Sequence, residues 1–327
     1  MKKIQAILLP LLLIVLSISS CSSDKSKKAS VYKNTDSAPW ELLLVSDKDW
    51  TKTADGEMLM KAINPDMQGL PQMESMFSII NINSNSFSKS FQGFTNIVFV
   101  EFGSKYKKAE IRIAKDTYAH PQTIIYLTAP NGKELAEYAS SRKELITSTL
   151  AESQLYSLQI DLAQSYSKIV KETAENQFNL KINAPFDLSA IKKGKDFFWA
   201  SSINSDNHLN LCLFTVPQRQ IQNEYDVIHI CDSVLKENIQ GENKDQYPQT
   251  VRQDLSTKNI KIGDRIITEI RGLWEMENDM MGGPFVLHFY NDSVNNRFVF
   301  ADGFVYAPEK KKRNYIRLLE ASLRTLK

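Results

Sequence analysis

An α+β fold in two similar-sized halves is predicted by three observations. Apolar runs of strand length are separated by short polar loops. Helical periodicities are grouped between sets of strands instead of following each one, and no Gly or Pro interrupts the stretch from Lys133 to Ala184. Strands arriving in sets favour antiparallel sheets, here flanked by helices. At 327 residues the chain is long enough for two halves that each bury a core.

Lys2-Lys3 begins a basic segment, Ile4 to Ile18 is apolar, and Ile18-Ser19-Ser20-Cys21 closes the run on small residues and a cysteine. The apolar run is shorter than the ~20 residues a spanning helix needs. Residues 1–20 are therefore expected to be a lipoprotein signal peptide, cut away after the Cys21 thiol is acylated. An ordinary signal peptide with an incidental cysteine is the other reading. Residues 21–38 are Ser- and Lys-rich and read as a flexible tether, leaving 39–176 and 177–327 as the two α+β halves. The formal charge is +2, but loss of Lys2 and Lys3 leaves 38 basic against 38 acidic side chains. A nucleic-acid partner is not expected from that balance.

Along the first half, Trp40 to Val45 reads as a strand, and Asp49 is placed to cap a helix that Asn64-Pro65 stops near Ile63. Strands are expected over 76–82, 96–102, 110–114 and 123–127, with Phe87 and Phe91 marking a helical turn. Asn131 is placed to cap the next helical stretch. Leu135, Tyr138, Ala139, Leu145, Ile146 and Leu150 form one stripe there, and Leu155 through Val170 a second, in two helices or one bent helix to about Glu175.

In the second half, Phe178 to Ile182 reads as a strand, 196–201 and 209–216 as a strand pair, and 225–239 as a helix. After a polar excursion from Gly241 to Lys258, strands are expected over 260–275, 285–290 and 297–307. A helix then carries Tyr315, Leu318, Leu319, Ser322, Leu323 and Leu326 on one stripe, with Lys310 to Arg313 as its solvated first turn. This order of elements resembles PsbP-like sandwiches, a likeness of fold only. Both halves end on a strand, Ala-Pro and a helix, which would fit an old duplication.

Special residue types concentrate between Arg271 and Phe285. Strand alternation puts Trp274 and Met276 on one face and Glu269, Arg271 and Glu275 on the other. His288 and Asp302 are polar interruptions in the next two apolar runs. Arg271, Glu275, His288 and Asp302 could meet across strands as an anion clamp, an acid and a base, or form a paired charge set that is only structural. Trp274, Met276, Met280 and Met281 offer a soft apolar contact surface for a ligand or partner, with core packing as the other reading and a thioether Cu(I) site as a third. Gly282-Gly283-Pro284 reads as the break that turns the chain back. Cys212 and Cys231 are an even pair that an oxidising compartment could close into a disulfide, or two small buried hydrophobes.

Other chemistry is not signalled. The histidines His120, His208, His229 and His288 lack metal-ligand spacing, and there is no Gly-x-Ser-x-Gly, phosphate-binding loop or Cys-x-x-Cys. No metal or cofactor is expected.

Arg271-Gly-Leu-Trp274, Asn278 to Phe285, Gly303 to Pro308 and Lys312 to Tyr315 resemble a family of uncharacterised Bacteroidota envelope lipoproteins filed as a domain of unknown function. The likeness extends upstream through Asn96-Ile-Val, Ala119-His-Pro-Gln122 and Phe178 to Trp199. It implies an envelope lipoprotein and carries no activity. Lipoproteins displayed on the surface in that phylum tend to have acids beside the acylated cysteine. Here only Asp24 is near Cys21, so an outer-membrane protein facing the periplasm is expected. Its folded part would bind an envelope protein or apolar ligand and be no enzyme. The competing reading is a hydrolase of an envelope polymer.

Overall fold

Leu42 to Val45 is buried on both sides, a pattern that suits a strand covered by helices on one face and a loop layer on the other. It belongs to the first of the two larger sheets in the computed structural model, which describes residues 33–203, 207–218 and 224–327. The expected signal peptide, Cys21 and most of the expected tether lie outside the described residues.

After β1 (Lys33–Asn34) and β2 (Glu41–Val45) comes α1 (Ala54–Ile63), then β3 (Ser78–Ile82), β4 (Asn96–Phe102), β5 (Glu110–Lys115), β6 (Ala119–His120) and β7 (Thr123–Ala129). The sheet order is β3-β2-β4-β7-β5. The β2–β3, β2–β4 and β4–β7 ladders are parallel and only β5–β7 is antiparallel, so this sheet is mixed where antiparallel pairing was expected. Thr53, not Asp49, caps α1: its hydroxyl accepts from the Gly56 N–H, while Asp49 precedes a single 3₁₀ turn.

The Pro-free stretch holds three helices, α2 (Gly132–Ser141), α3 (Lys143–Gln164) and α4 (Lys168–Phe178), broken at Arg142 and Ser165–Ser167. Asn131 caps α2 as expected, its side chain accepting from Glu134 N. Helices α1, α2 and α3 cover one face of the first sheet through Leu59, Ile63, Leu135, Ile146 and Leu155. Phe87, Phe91 and Phe94 cover the other.

Helix α4 packs on the second sheet through Val170, Ala174 and Phe178. The chain is not a strand over 178–182. Phe178 ends the helix, Asn179 takes the left-handed cap conformation, and Lys181 exchanges both main-chain hydrogen bonds with Lys327. Next are β8 (Leu188–Gly194), β9 (Phe197–Ser202), β10 (His208–Pro217), α5 (Glu224–Asn238), β11 (Pro248–Thr250), β12 (Ser256–Ile262), β13 (Arg265–Met276), β14 (Gly282–Asp292), β15 (Arg297–Tyr306) and α6 (Arg313–Leu323).

The second sheet runs β11-β13-β14-β15-β10-β9-β8, with β12 also on β13, and every ladder is antiparallel. Helix α5 covers one face, and α4 with α6 the other. The two sheets therefore differ in topology, which removes the support that the matching Ala-Pro endings lend to a duplication. The expected 260–275 strand is a hairpin, broken where Gly263 adopts φ +60. Gly282-Gly283-Pro284 is not the turn. It lies inside β14, where a Cβ on Gly283 would sit 2.0 Å from the Val305 carbonyl oxygen. The reversal is made by residues 277–281, with Asn278 at φ 56 and Met276 N bonded to Met281 O at 2.8 Å.

Residues 33 onward form one compact unit. The halves are stapled by Glu74, whose carboxylate accepts from Lys312 N at 2.6 Å and Arg313 N at 3.1 Å and so caps α6 from the first half. Arg313 also donates to the Ser75 carbonyl at 2.9 Å. The Lys310–Arg313 run is thus partly buried at this joint instead of forming a solvated turn. Among the described residues no helix is long and apolar enough to cross a membrane.

Candidate functional site

Strands β13 and β14 set the site, because their register places Glu269 opposite His288 on the face that α6 covers. His288 Nε2 lies 3.0 Å from Glu269 Oε2, and Arg271 Nε donates to Glu269 Oε1 at 2.8 Å. Lys258 of β12, paired opposite Glu269, reaches the same oxygen at 3.1 Å. Helix α6 and its C-cap residue Arg324 supply the rest from positions three, four and seven apart, which share one helical face. Glu320 is the hub: Arg271 Nη2 is 2.6 Å and Arg324 Nη2 3.4 Å from its Oε1, and Arg317 Nη1 is 2.7 Å from its Oε2. The Arg271 contact is an ion pair without hydrogen-bond alignment.

Two links reach into the first half. Arg324 Nη1 bonds both Glu152 oxygens of α3, at 2.8 and 2.7 Å, and the Arg317 guanidinium lies 4.6 Å over the Trp40 ring. Lys258 and Glu152 are 54% and 60% exposed, so the buried floor consists of Arg271, Arg317, Arg324, Glu269, Glu320 and His288. Of these, Arg271, Arg317, Arg324 and Glu320 line a cleft of about 510 Å³ between the halves, whose wall mixes Met67, Met76 and Leu155 with Asp66, Lys143, Glu144 and Ser148.

Burial works against both carboxylates, yet Arg271 and its neighbours hold Glu269 and Glu320 well below the usual carboxylate range, Glu320 at about 2. Burial also pulls His288 below the ordinary imidazole value, against the pull of Glu269. A neutral His288 then donates through Nε2 to the ionised Glu269, leaving Nδ1 as a buried acceptor without a partner. Arg317 Nε and Arg324 Nε are likewise buried donors with no acceptor.

The expected four-residue cluster is only half assembled. Arg271 and His288 do meet, through Glu269. Glu275 is exposed near the end of β13, bonded by Gln249 Nε2 at 3.2 Å. Asp302 pairs with Leu287 and Cys212, so its side chain points to the opposite face, under α5. Burial pushes its carboxyl up to about 8.

The expected contact surface is not assembled either. Trp274 and Met276 are core residues, with Trp274 Nε1 donating to Val305 O at 3.2 Å. Met281 packs partly against that core, and Met280 alone is free, at 98% exposed. Bulky apolar side chains on the aromatic face of β13 are needed to fill the space beneath α5. Cys212 and Cys231 are free and buried in the same core, and burial and Asp302 push both thiols up. Among the described residues no group of three or more His, Cys, Asp or Glu is placed to hold a metal ion.

Glu320, Arg317 and Arg324 were not among the sequence candidates. The signal was present: a lone acid inside the apolar stripe of the last helix, flanked by arginines at −3 and +4.

Residues 36–163 match the family model of one domain of unknown function (DUF8532), and residues 167–325 match that of another (DUF4837). Two regions of uncharacterised families thus make up the folded chain. Among curated proteins no match to the chain is found. The seam between the matched regions falls between α3 and α4, and the cleft is walled by both.

Proposed function

We propose that this chain is a lipid-anchored envelope protein, acylated at Cys21 and facing the periplasm from the outer membrane. Its folded part would be a binding module whose ligand or partner enters the cleft between the halves. The anchor rests on the Lys2-Lys3 segment, the apolar run and Ile18-Ser19-Ser20-Cys21, and stable residence calls for more than one acyl chain at that cysteine. One observation carries the binding reading: three arginines lie buried at the base of an open cleft whose wall joins Met67, Met76 and Leu155 to polar side chains such as Gln68, Thr147 and Ser148. Such a mix of apolar wall and a few fixed polar groups suits ligand recognition. A hydrolase acting through Glu275, His288 and Asp302 has less support, because those residues occupy three separate places and His288 and Asp302 are 1% and 3% exposed.

Cys21→Ala is expected to abolish incorporation of labelled palmitate, and undiminished incorporation would overturn the anchor. For binding, a photo-crosslinker at Ser148, an exposed cleft residue, should trap a discrete adduct in cells. The same probe at Ser233, exposed on α5, should not. No adduct from Ser148 in expressed, anchored protein, or the same adducts from both positions, would remove the cleft as the binding site.

A further inference from the structure

We infer that the cleft takes its ligand by an oxyanion group, a carboxylate or a phosphate, seated on Arg317 and Arg324. This rests on the proposed binding role of the cleft and names the chemistry of what binds there. Buried donors exceed buried acceptors: three guanidiniums face two carboxylates, and His288 is neutral. The buried floor thus carries one positive charge in excess, while the rim of the cleft sets Lys143 and Lys258 against Asp66, Glu144 and Glu152.

Both Glu320 oxygens are already engaged by arginines, and both Glu152 oxygens by Arg324 Nη1. Arg317 Nε and Arg324 Nε are nonetheless buried without an acceptor, although both arginines line the cleft. A junction serving only to hold the halves together would match its donors to acceptors, because each buried N–H without one costs about 1–3 kcal/mol. An incoming oxyanion supplies the missing acceptors, and its planar or tetrahedral oxygens fit guanidinium N–H groups in pairs. Glu320 does not repel it, because three arginines already neutralise that carboxylate. The charge balance limits the group to about one net negative charge at the floor, so the remainder of the ligand lies against the Met67, Met76 and Leu155 wall.

The test follows the arginine Nε–Hε resonances of the purified full chain by ¹⁵N NMR, at pH 7 and constant ionic strength. Chloride is replaced stepwise by inorganic phosphate and, separately, by acetate. Arg317 and Arg324 should move saturably, whereas Arg297, whose Nε already donates to Asp292 at 2.8 Å, should stay still. Arg324→Lys keeps the charge and should weaken the response roughly tenfold, the worth of one charge-assisted hydrogen bond. Saturation by phosphate alone or acetate alone supports the inference and names the group. No saturable shift with either anion, or equal shifts at Arg297, overturns it. If Ser148 still crosslinks while the titration is silent, the binding cleft stands and only the oxyanion is lost.

Discussion

Glu269 on β13 and Asp302 on β15 belong to one sheet, with only β14 between them, and both are almost wholly buried. Their side chains leave opposite faces. Glu269 meets Arg271, His288 and Lys258, and stays ionised because burial is outweighed by those partners. Asp302 meets the aromatic core, Cys212 across the strand and Cys231 on α5, with Asp232 adding to the effect of burial. It holds its proton up to about pH 8. Burial alone therefore does not decide what a buried acid becomes; the supply of donors does. The face that supplies them is also the one that opens into the inter-half cleft, and this is why we place function there.

The sharpest way to break that contrast is to remove the hub. Glu320→Gln keeps the shape but leaves three buried guanidiniums without their shared anion, and should cost about 3–5 kcal/mol in urea unfolding. A loss under about 1 kcal/mol would show that water, not Glu320, carries those charges.

On the other face the sign reverses. The folded pKa of Asp302, about 8, lies above the ~3.9 of the unfolded chain. Between those values the native state holds a proton that the unfolded state has lost, so this group lowers stability as pH rises from about 4 to 8. Asp302→Asn should then be more stable than the wild type at pH 8.5, by roughly 2 kcal/mol after the cost of its buried amide, with no such gain at pH 5. Glu320 works oppositely: its folded pKa of about 2 lies below the unfolded ~4.3, so its contribution is present above pH 4.3 and fades as pH falls towards 2. The smallest effect belongs to the rim. Lys258→Gln should change stability by less than about 1 kcal/mol, as expected for a pair with one half-exposed member.

Much of this was legible in the residues, and the remainder was hidden for physical reasons. The α+β class, the strands near 96–102 and 123–129, the Asn131 cap and the two faces of β13 come from periodicity and capping chemistry. Parallel pairing in the first sheet was missed, although Leu42-Leu43-Leu44-Val45 and Ile97-Val98 are unbroken apolar runs of the kind that sheets buried on both faces require. Grouping His288 with Asp302 failed because alternation sorts residues within a strand but not between strands. The character of the flanking residues separates them: Asp302 alternates in step with Phe298, Phe300 and Phe304, and His288 with Val286 and Tyr290. Half of the site, Glu320 with Arg317 and Arg324, lies on a helix about fifty residues further along the chain. Its approach to β13 is a matter of tertiary packing that no local pattern records.

The contrast between the two faces is read most directly by a ¹³C carboxyl NMR titration of the folded chain from pH 3 to 9. Asp302 is expected to titrate near 8, while Glu269 and Glu320 remain ionised throughout. An Asp302 midpoint near 4, or titration of either glutamate above about pH 4, would contradict the account.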